Sequence, residues 1–491
     1  MRNLQVRHAA TWTDARPRWR ALGRDARIGL VGIVALAAGA IGVRVWMMLA
    51  YGPGFLSFPD SGEYALAAKL NIFRDPPRPA GYPFLLRLIH HLSDHVSFTI
   101  GVQHALGVAA GVFLYKAVRR TGAPPWLGLL PAAVVFFGAT GLVLEHSLLA
   151  DAPFAFFQVL SIYCAIRALY EKSLRWPVLA GLAVGVAFWM KTDGVVGVLA
   201  IAAVLLFAAP GGRRRRLLSA GAVAIVATAM IAAYVGSQYY FTGFLGLQRQ
   251  SAWNLYGRVA TFVDCSGFTP PSGTRFLCPS QPLGHRESEA YYQGAPSAPA
   301  PERFGPPWVA PGYANAVVER FSIAAIEQEP LAYAGAILTS LGHYVFPATD
   351  EGNTPRQIRE QVRAPAAAGQ FQPTYALLYA ESLGYTGPEG ALAAYEKYTL
   401  VQGPLLIFLL IGAIAGPLFL PARMRAAAAI FTLTAIGSIT FAAAGSGYDA
   451  RYAYPAFGPL AAGAALGIWG IVVALAHARQ RRWRAPLAAD T

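Results

Sequence analysis

Ten apolar runs do most to limit what this chain can become. They lie near residues 28–50, 96–116, 125–144, 152–170, 176–190, 194–210, 217–238, 403–421, 426–444 and 455–476. About 20 apolar residues in a helix cross the hydrocarbon core of a bilayer. Only helices or closed barrels satisfy their own backbone in lipid. The sequence therefore predicts an all-α polytopic membrane protein, a bundle of about 10 transmembrane helices. Composition agrees: 55% of residues are hydrophobic and 13% are charged, against about 25% charged in soluble domains.

The formal net charge of +15 raises nucleic acid as a partner, but the basic residues sit in short clusters between apolar runs. That distribution fits membrane topology and contact with membrane lipids, and it excludes a nucleic-acid footprint. Residues 1–27 carry Arg2, Arg7, Arg16, Arg18, Arg20, Arg24 and Arg27. The run that follows is too long for a signal-peptide core and has no clear small-residue cleavage site. It reads as an uncleaved first span. Placing the N-terminus in the cytoplasm puts Lys116, Arg119, Arg120, Lys172, Arg175, Arg213 to Arg216, Arg423, Arg425, Arg479, Arg481, Arg482 and Arg484 on the cytoplasmic side, as the positive-inside rule asks. The divisions are a cytoplasmic segment 1–27, a transmembrane core 28–238 with a first outer loop 51–95, and a long extracytoplasmic region 239–402. C-terminal helices 403–476 and a cytoplasmic tail 477–491 complete the chain. Arg-over-Lys usage with abundant Ala and Gly hints at a bacterial source, hence a bacterial plasma membrane. Within this scheme Leu331 to Phe346 is an interfacial or packed helix, since a span there would invert the charge pattern. Arg44, inside the first run, can snorkel outward or face the bundle interior, and the snorkel is the expectation.

Cys265 and Cys278 both fall in the long outer region, where an oxidising compartment permits a disulfide. Closing so short a loop contributes about 3 kcal/mol in a chain-entropy account. Cys164, within a span, reads as a small buried hydrophobe. No internal repeat suggests the inverted-repeat design of many transporters.

Ionisable residues gather at the outer ends of the spans: Asp60, Glu63, Arg78, His90, His91, Glu145, His146, Asp151, Lys191, Asp193, Asp449 and Arg451. Charges so near hydrocarbon are costly unless paired or set in a wet cavity. They come from separate loops that a bundle can bring together. Plainer readings exist for each. Asp60-Ser-Gly-Glu63 is also a helix-start pattern, Lys191 and Arg451 suit interfacial anchors, and Glu145 to Asp151 suits an ordinary interfacial loop. The Arg213 to Arg216 run reads as a topology signal facing anionic headgroups. A transporter or lipid flippase would place such groups near the membrane midplane. An envelope assembly scaffold would leave Asp60 and Asp151 far apart.

The set resembles the GT-C superfamily of polyprenyl-phosphate-dependent glycosyltransferases, and within it protein O-mannosyltransferases and the lipid A aminoarabinose transferase. The likeness rests on Asp60 with Tyr64, Arg78-Pro-Ala-Gly-Tyr82, Asp151-Ala-Pro153, Lys191 with Gly194, and Arg451-Tyr-Ala-Tyr-Pro455. It covers 28–240 and 403–476, while 239–402 matches no family domain. The resemblance implies a GT-C-like bundle and an enzyme moving a hexose or pentose from a polyprenyl-phosphate donor to a glycan, lipid or protein hydroxyl. It implies Asp60 as the catalytic general base, and Arg78, Lys191 and Arg451 as cations for the donor phosphate. Tyr64, Tyr82, Glu145, His146 and Asp151 are then candidate sugar-binding residues. A divalent ion, Mg or Mn, is chemically compatible with Glu145, His146 and Asp151, although their spacing does not specify one.

Overall fold

The computed structural model describes residues 23–55, 59–73, 78–248, 250–346, 378–379, 388 and 390–484, the side chains of 480–484 excepted. Most of the expected cytoplasmic N-terminal segment, much of 347–389 and the end of the C-terminal tail lie outside the described residues. In chain order the helices are α1 (Arg24–Ala50), α2 (Pro59–Lys69), α3 (Gly81–His90), α4 (Val96–Arg120), α5 (Leu129–Phe137), α6 (Ala139–Glu145) and α7 (Asp151–Tyr170). Then come α8 (Arg175–Met190), α9 (Val195–Ala208), α10 (Arg213–Thr242), α11 (Gln250–Ala260), α12 (Glu289–Gly294) and α13 (Pro299–Phe304). The chain ends with α14 (Gly312–Gln328), α15 (Pro330–Val345), α16 (Ala391–Thr399), α17 (Pro404–Ala415), α18 (Ala422–Gly445) and α19 (Tyr454–Arg484). No named strand occurs among the described residues.

All ten apolar runs are helical, but they are not ten equal spans. Among the described residues 7 helices are long and apolar enough to cross a membrane. α5 and α6, with the short turn before α5, give an eighth if that pair, bent by 53°, is one span. α8 and α9 are shorter apolar helices. The bend falls at Gly138, whose backbone is extended (φ −60°, ψ 120°). A break inside an apolar bundle frees carbonyls that water cannot reach. Here Arg44 donates to the Phe136 carbonyl at 2.8 Å and the Tyr395 hydroxyl donates to that of Phe137 at 2.7 Å.

Arg44 thereby corrects the expectation that it snorkels. It is 3% exposed and turns into the bundle, because a broken helix and a buried acid, Glu145, offer it more than the lipid surface does. α17 and α19 approach through small residues, as membrane helices without a hydrophobic drive between them do. A Cβ on Gly416 would collide with the backbone of Gly467, and one on Gly467 with that of Gly412.

Residues 252–325 build a core of their own around Trp253, Tyr256, Leu277, Tyr292, Val318 and Phe321. The expected disulfide joins Cys265 to Cys278 with Cα atoms 6.1 Å apart. Cys164 is buried and free. α15, a helix of 16 residues that starts at Pro330, is packed on the end of α18: the Tyr333 hydroxyl donates to the Ala444 carbonyl at 3.0 Å, and Tyr344 stacks edge-on against Tyr448. α7 fixes the two ends of the bundle. Its 20 residues run about 30 Å, from Asp151 at one end to Glu171 just past the other. There Glu171 gathers Arg120, Arg167 and Arg175.

Candidate active site

At the Asp151 end, four separate segments line one side of a cavity of about 300 Å³ with Asp60, Tyr64, Arg78, Asp151, Lys191, Asp193, Arg451 and Tyr452. Asp60 lies in the first turn of α2, where the helix dipole favours an acid. Tyr64, four residues on, shares that face. Asp151 opens α7. Lys191 has an extended backbone at the end of α8, which breaks the helix and turns the side chain to the cavity. Arg451 sits in a single 3-10 turn, Ala450–Ala453, started by Asp449, whose side chain accepts from the Arg451 backbone amide.

The charges are interlocked. Arg78 Nη2 lies 2.6 Å from Asp60 Oδ1 and its Nε 2.7 Å from Glu63 Oε2. Arg451 Nη1 lies 2.8 Å from Asp60 Oδ2 and its Nε 3.0 Å from Asp449 Oδ2. Lys191 Nζ lies 2.8 Å from Asp151 Oδ1 and 4.7 Å from the centre of the Tyr452 ring. Burial pushes the Asp60 carboxyl up, but the guanidiniums of Arg451 and Arg78 outweigh it and hold the group at about 2. Burial and the Asp60 charge push the Tyr64 phenol well above its usual range, so it stays a neutral hydroxyl.

A carboxyl whose folded pKa is depressed stabilises the fold above its unfolded value near 4, and that contribution is lost as pH falls through about 2. The acid-sensitive part attributable to Asp60 is on the order of 2 kcal/mol. Thermal unfolding followed from pH 5 to pH 2.5 should show wild type losing more stability than Asp60→Asn. Parallel slopes would mean that the two pairs contribute nothing.

Seven of the residues singled out from sequence line this cavity: Asp60, Tyr64, Arg78, Asp151, Lys191, Asp193 and Arg451. Tyr82 stands behind it, edge-on to Tyr64 at 4.8 Å, with its hydroxyl donating to Gln103 at 2.6 Å. Glu145 and His146, expected at the sugar, do not line this cavity. Glu145 is fully buried and holds Arg44 and His104 at 2.8 and 2.9 Å. His146 contacts His104 and the Tyr51 carbonyl, each at 3.0 Å. Both side chains are engaged inside the bundle, so they do not join Asp151 as a ligand set. Among the described residues no three His, Cys, Asp or Glu side chains form a metal-binding group.

Sequence reasoning missed the far wall of the cavity, formed by Ser251, Asn254 and Leu255 of α11 and by Phe441, Ala442 and Gly445 of α18. Asn254 donates to the Ser446 hydroxyl at 3.2 Å, which ties α11 to the end of α18. Tyr452 was within reach, since it lies inside the Arg451-to-Pro455 motif. The α11 residues carry no motif.

Residues 77–237 match the family described as dolichyl-phosphate-mannose-protein mannosyltransferase. The GT-C resemblance, with its O-mannosyltransferase likeness, is therefore supported. The matched segment contains Arg78, Asp151 and Lys191, while Asp60 and Arg451 lie outside it. No curated protein matches the chain by sequence. Among solved structures, the oligosaccharyltransferase AglB of Archaeoglobus fulgidus, in complex with an inhibitory peptide and a dolichol-phosphate, is similar at 14% identity and a TM-score of 0.45, covering 93% of this chain and 52% of that one. The protein O-mannosyltransferase Pmt1-Pmt2 complex of S. cerevisiae, bound to the sugar donor, is 16% identical with a TM-score of 0.32, over 43% of this chain and 32% of that one. The arabinosyltransferase EmbB of Mycobacterium smegmatis is 13% identical with a TM-score of 0.29, over 89% and 42%. The chain spans about half or less of the length of each, and at these scores they add nothing to the family match. A GT-C membrane glycosyltransferase is the class that the family match supports.

Proposed function

We propose that this protein transfers one sugar from a polyprenyl-phosphate donor to an acceptor hydroxyl at the outer face of a bacterial plasma membrane. The observation that carries the reading is the meeting of Asp60, Asp151, Arg78, Lys191 and Arg451 in one cavity at one end of the bundle. The opposite end holds Arg120, Arg167 and Arg175, which supports placing the cavity outside by the positive-inside rule. The acceptor hydroxyl loses its proton to Asp60 as its oxygen bonds to the anomeric carbon. The bond from that carbon to the phosphate oxygen breaks, and its electron pair stays on the lipid phosphate. Charge on that phosphate grows during the step, so fixed cations stabilise the transition state more than the ground state. Arg78, Lys191 and Arg451 supply them. Tyr64 and Asp151 offer hydroxyl and carboxylate contacts to the sugar, with Tyr82 backing Tyr64. A single displacement inverts the anomeric centre.

The division of labour follows. Residues 28–238 and 403–476 form the catalytic bundle, and the outer region contributes the α11 wall and selects the acceptor. The test is consumption of radiolabelled sugar from a panel of polyprenyl-phosphate hexoses and pentoses by the purified protein, supplied with acceptor-rich membrane extract. Consumption of one donor with an inverted product supports the reading. Failure to turn over any donor overturns it.

A further inference from the structure

Resting on the transferase reading above, we propose that Asp60 is idle in the donor-free protein and becomes a base only when the donor phosphate takes Arg78 and Arg451 from it. The two arginines divide the carboxylate between them, one on each oxygen, at 2.6 and 2.8 Å. Each uses a terminal nitrogen for Asp60 and anchors its Nε on a second acid, Glu63 for Arg78 and Asp449 for Arg451. Glu63 and Asp449 thus act as pivots: each planar guanidinium swings about its Nε contact for its Nη edge to leave Asp60. The Nη edges change partner while the Nε edges keep theirs.

Charge makes this exchange obligatory. Arg78, Lys191 and Arg451 face Asp60, Asp151 and Asp193 across the cavity, with Glu63 and Asp449 behind. Each of the three cations already has a carboxylate partner, so a bound phosphate has no surplus positive charge to meet. It binds by displacement. A phosphodiester can accept from planar guanidinium nitrogens as a carboxylate does. Once freed, Asp60 is left 8% exposed beside Glu63, Asp449 and Asp151, with Tyr64 and Tyr452 as neutral phenols and Lys191 as the nearby cation. Burial and like charge both favour the protonated form of a carboxyl, which is what a base accepting the acceptor's proton requires. The leaving phosphate gains negative charge as its bond to the sugar breaks, so its hold on the two arginines strengthens while Asp60 takes the proton. The order of events is thereby fixed: donor first, then activation of the acceptor.

Calorimetric binding of a short-chain prenyl methyl phosphodiester, which does not titrate near neutrality, tests this on the full chain in nanodiscs. Asp60→Asn should bind the probe about tenfold more tightly than wild type, the least that coupling between close buried charges delivers. Unchanged or weaker binding by a folded Asp60→Asn overturns the exchange, even if that variant has lost all transfer. Should the variant not fold, wild type decides the matter. Titrations at pH 5 in buffers of different ionisation enthalpy should show proton uptake on binding, and the uptake should persist in Asp151→Asn. No uptake overturns the proposal. Loss of transfer in Asp60→Asn bears on the base role alone, so the two ideas fail separately.

Discussion

Asp60→Asn is expected to slow sugar transfer by about a thousandfold, the middle of the range that a positioned general base contributes. Asparagine keeps the shape and hydrogen-bonding reach of the side chain but cannot accept the acceptor's proton. Arg78 and Arg451 lose a charged partner yet keep Glu63 and Asp449, so the two cations remain at the proposed phosphate position. The loss should therefore appear in kcat, with KM for the donor lowered, since the donor phosphate no longer has to displace a carboxylate from the two arginines. Asp151→Asn should behave differently. It leaves Lys191 without its 2.8 Å partner and so disturbs donor binding as well as turnover. Single-turnover assays with saturating donor separate the two. Near-normal transfer by Asp60→Asn would move the base to Asp151, the other carboxylate of the cavity with a cation held against it.

How much of this was legible beforehand depends on where each residue's partner lies. Asp60, Tyr64, Arg78, Asp151, Lys191 and Arg451 were readable because each belongs to a short motif at the outer end of an apolar run, and a helical bundle brings such ends together. Glu145 and His146 looked equally placed, five or six residues before Asp151. The turn between α6 and α7 separates them: Glu145 closes one helix inside the bundle and Asp151 opens the next at the cavity. Sequence distance cannot express that turn. Arg44 had two readings in an apolar run, and its partner Glu145 lies 101 positions away. The α11 wall was invisible for a different reason. Ser251, Asn254 and Leu255 are ordinary residues whose role comes from where their helix sits.

Arg44 also carries the largest expected effect on stability. Arg44→Met should cost about 3–5 kcal/mol, the usual penalty for stripping one partner from a buried ion pair. Arg44 meets Glu145 with two nitrogens, Nε to Oε2 and Nη2 to Oε1, each at 2.8 Å. Its remaining terminal nitrogen serves the Phe136 and Ala40 carbonyls at 2.8 and 3.2 Å. Methionine fills most of the volume but leaves a fully buried carboxylate facing His104 and the 3.4 Å contact from the Tyr454 hydroxyl, with the Phe136 carbonyl of the broken helix unmet. Glu145 has no room to turn away, since it packs against Gly107, where any added Cβ would strike its carboxylate. Thermal unfolding in detergent should therefore show a strongly lowered midpoint for Arg44→Met. The double variant with Glu145→Met should recover much of the loss, because it removes the stranded charge along with its partner. A double-mutant cycle isolates that coupling. An unchanged midpoint for Arg44→Met would mean that Arg44 reaches the headgroup region after all. In that case α5 and α6 would need another way to satisfy their break.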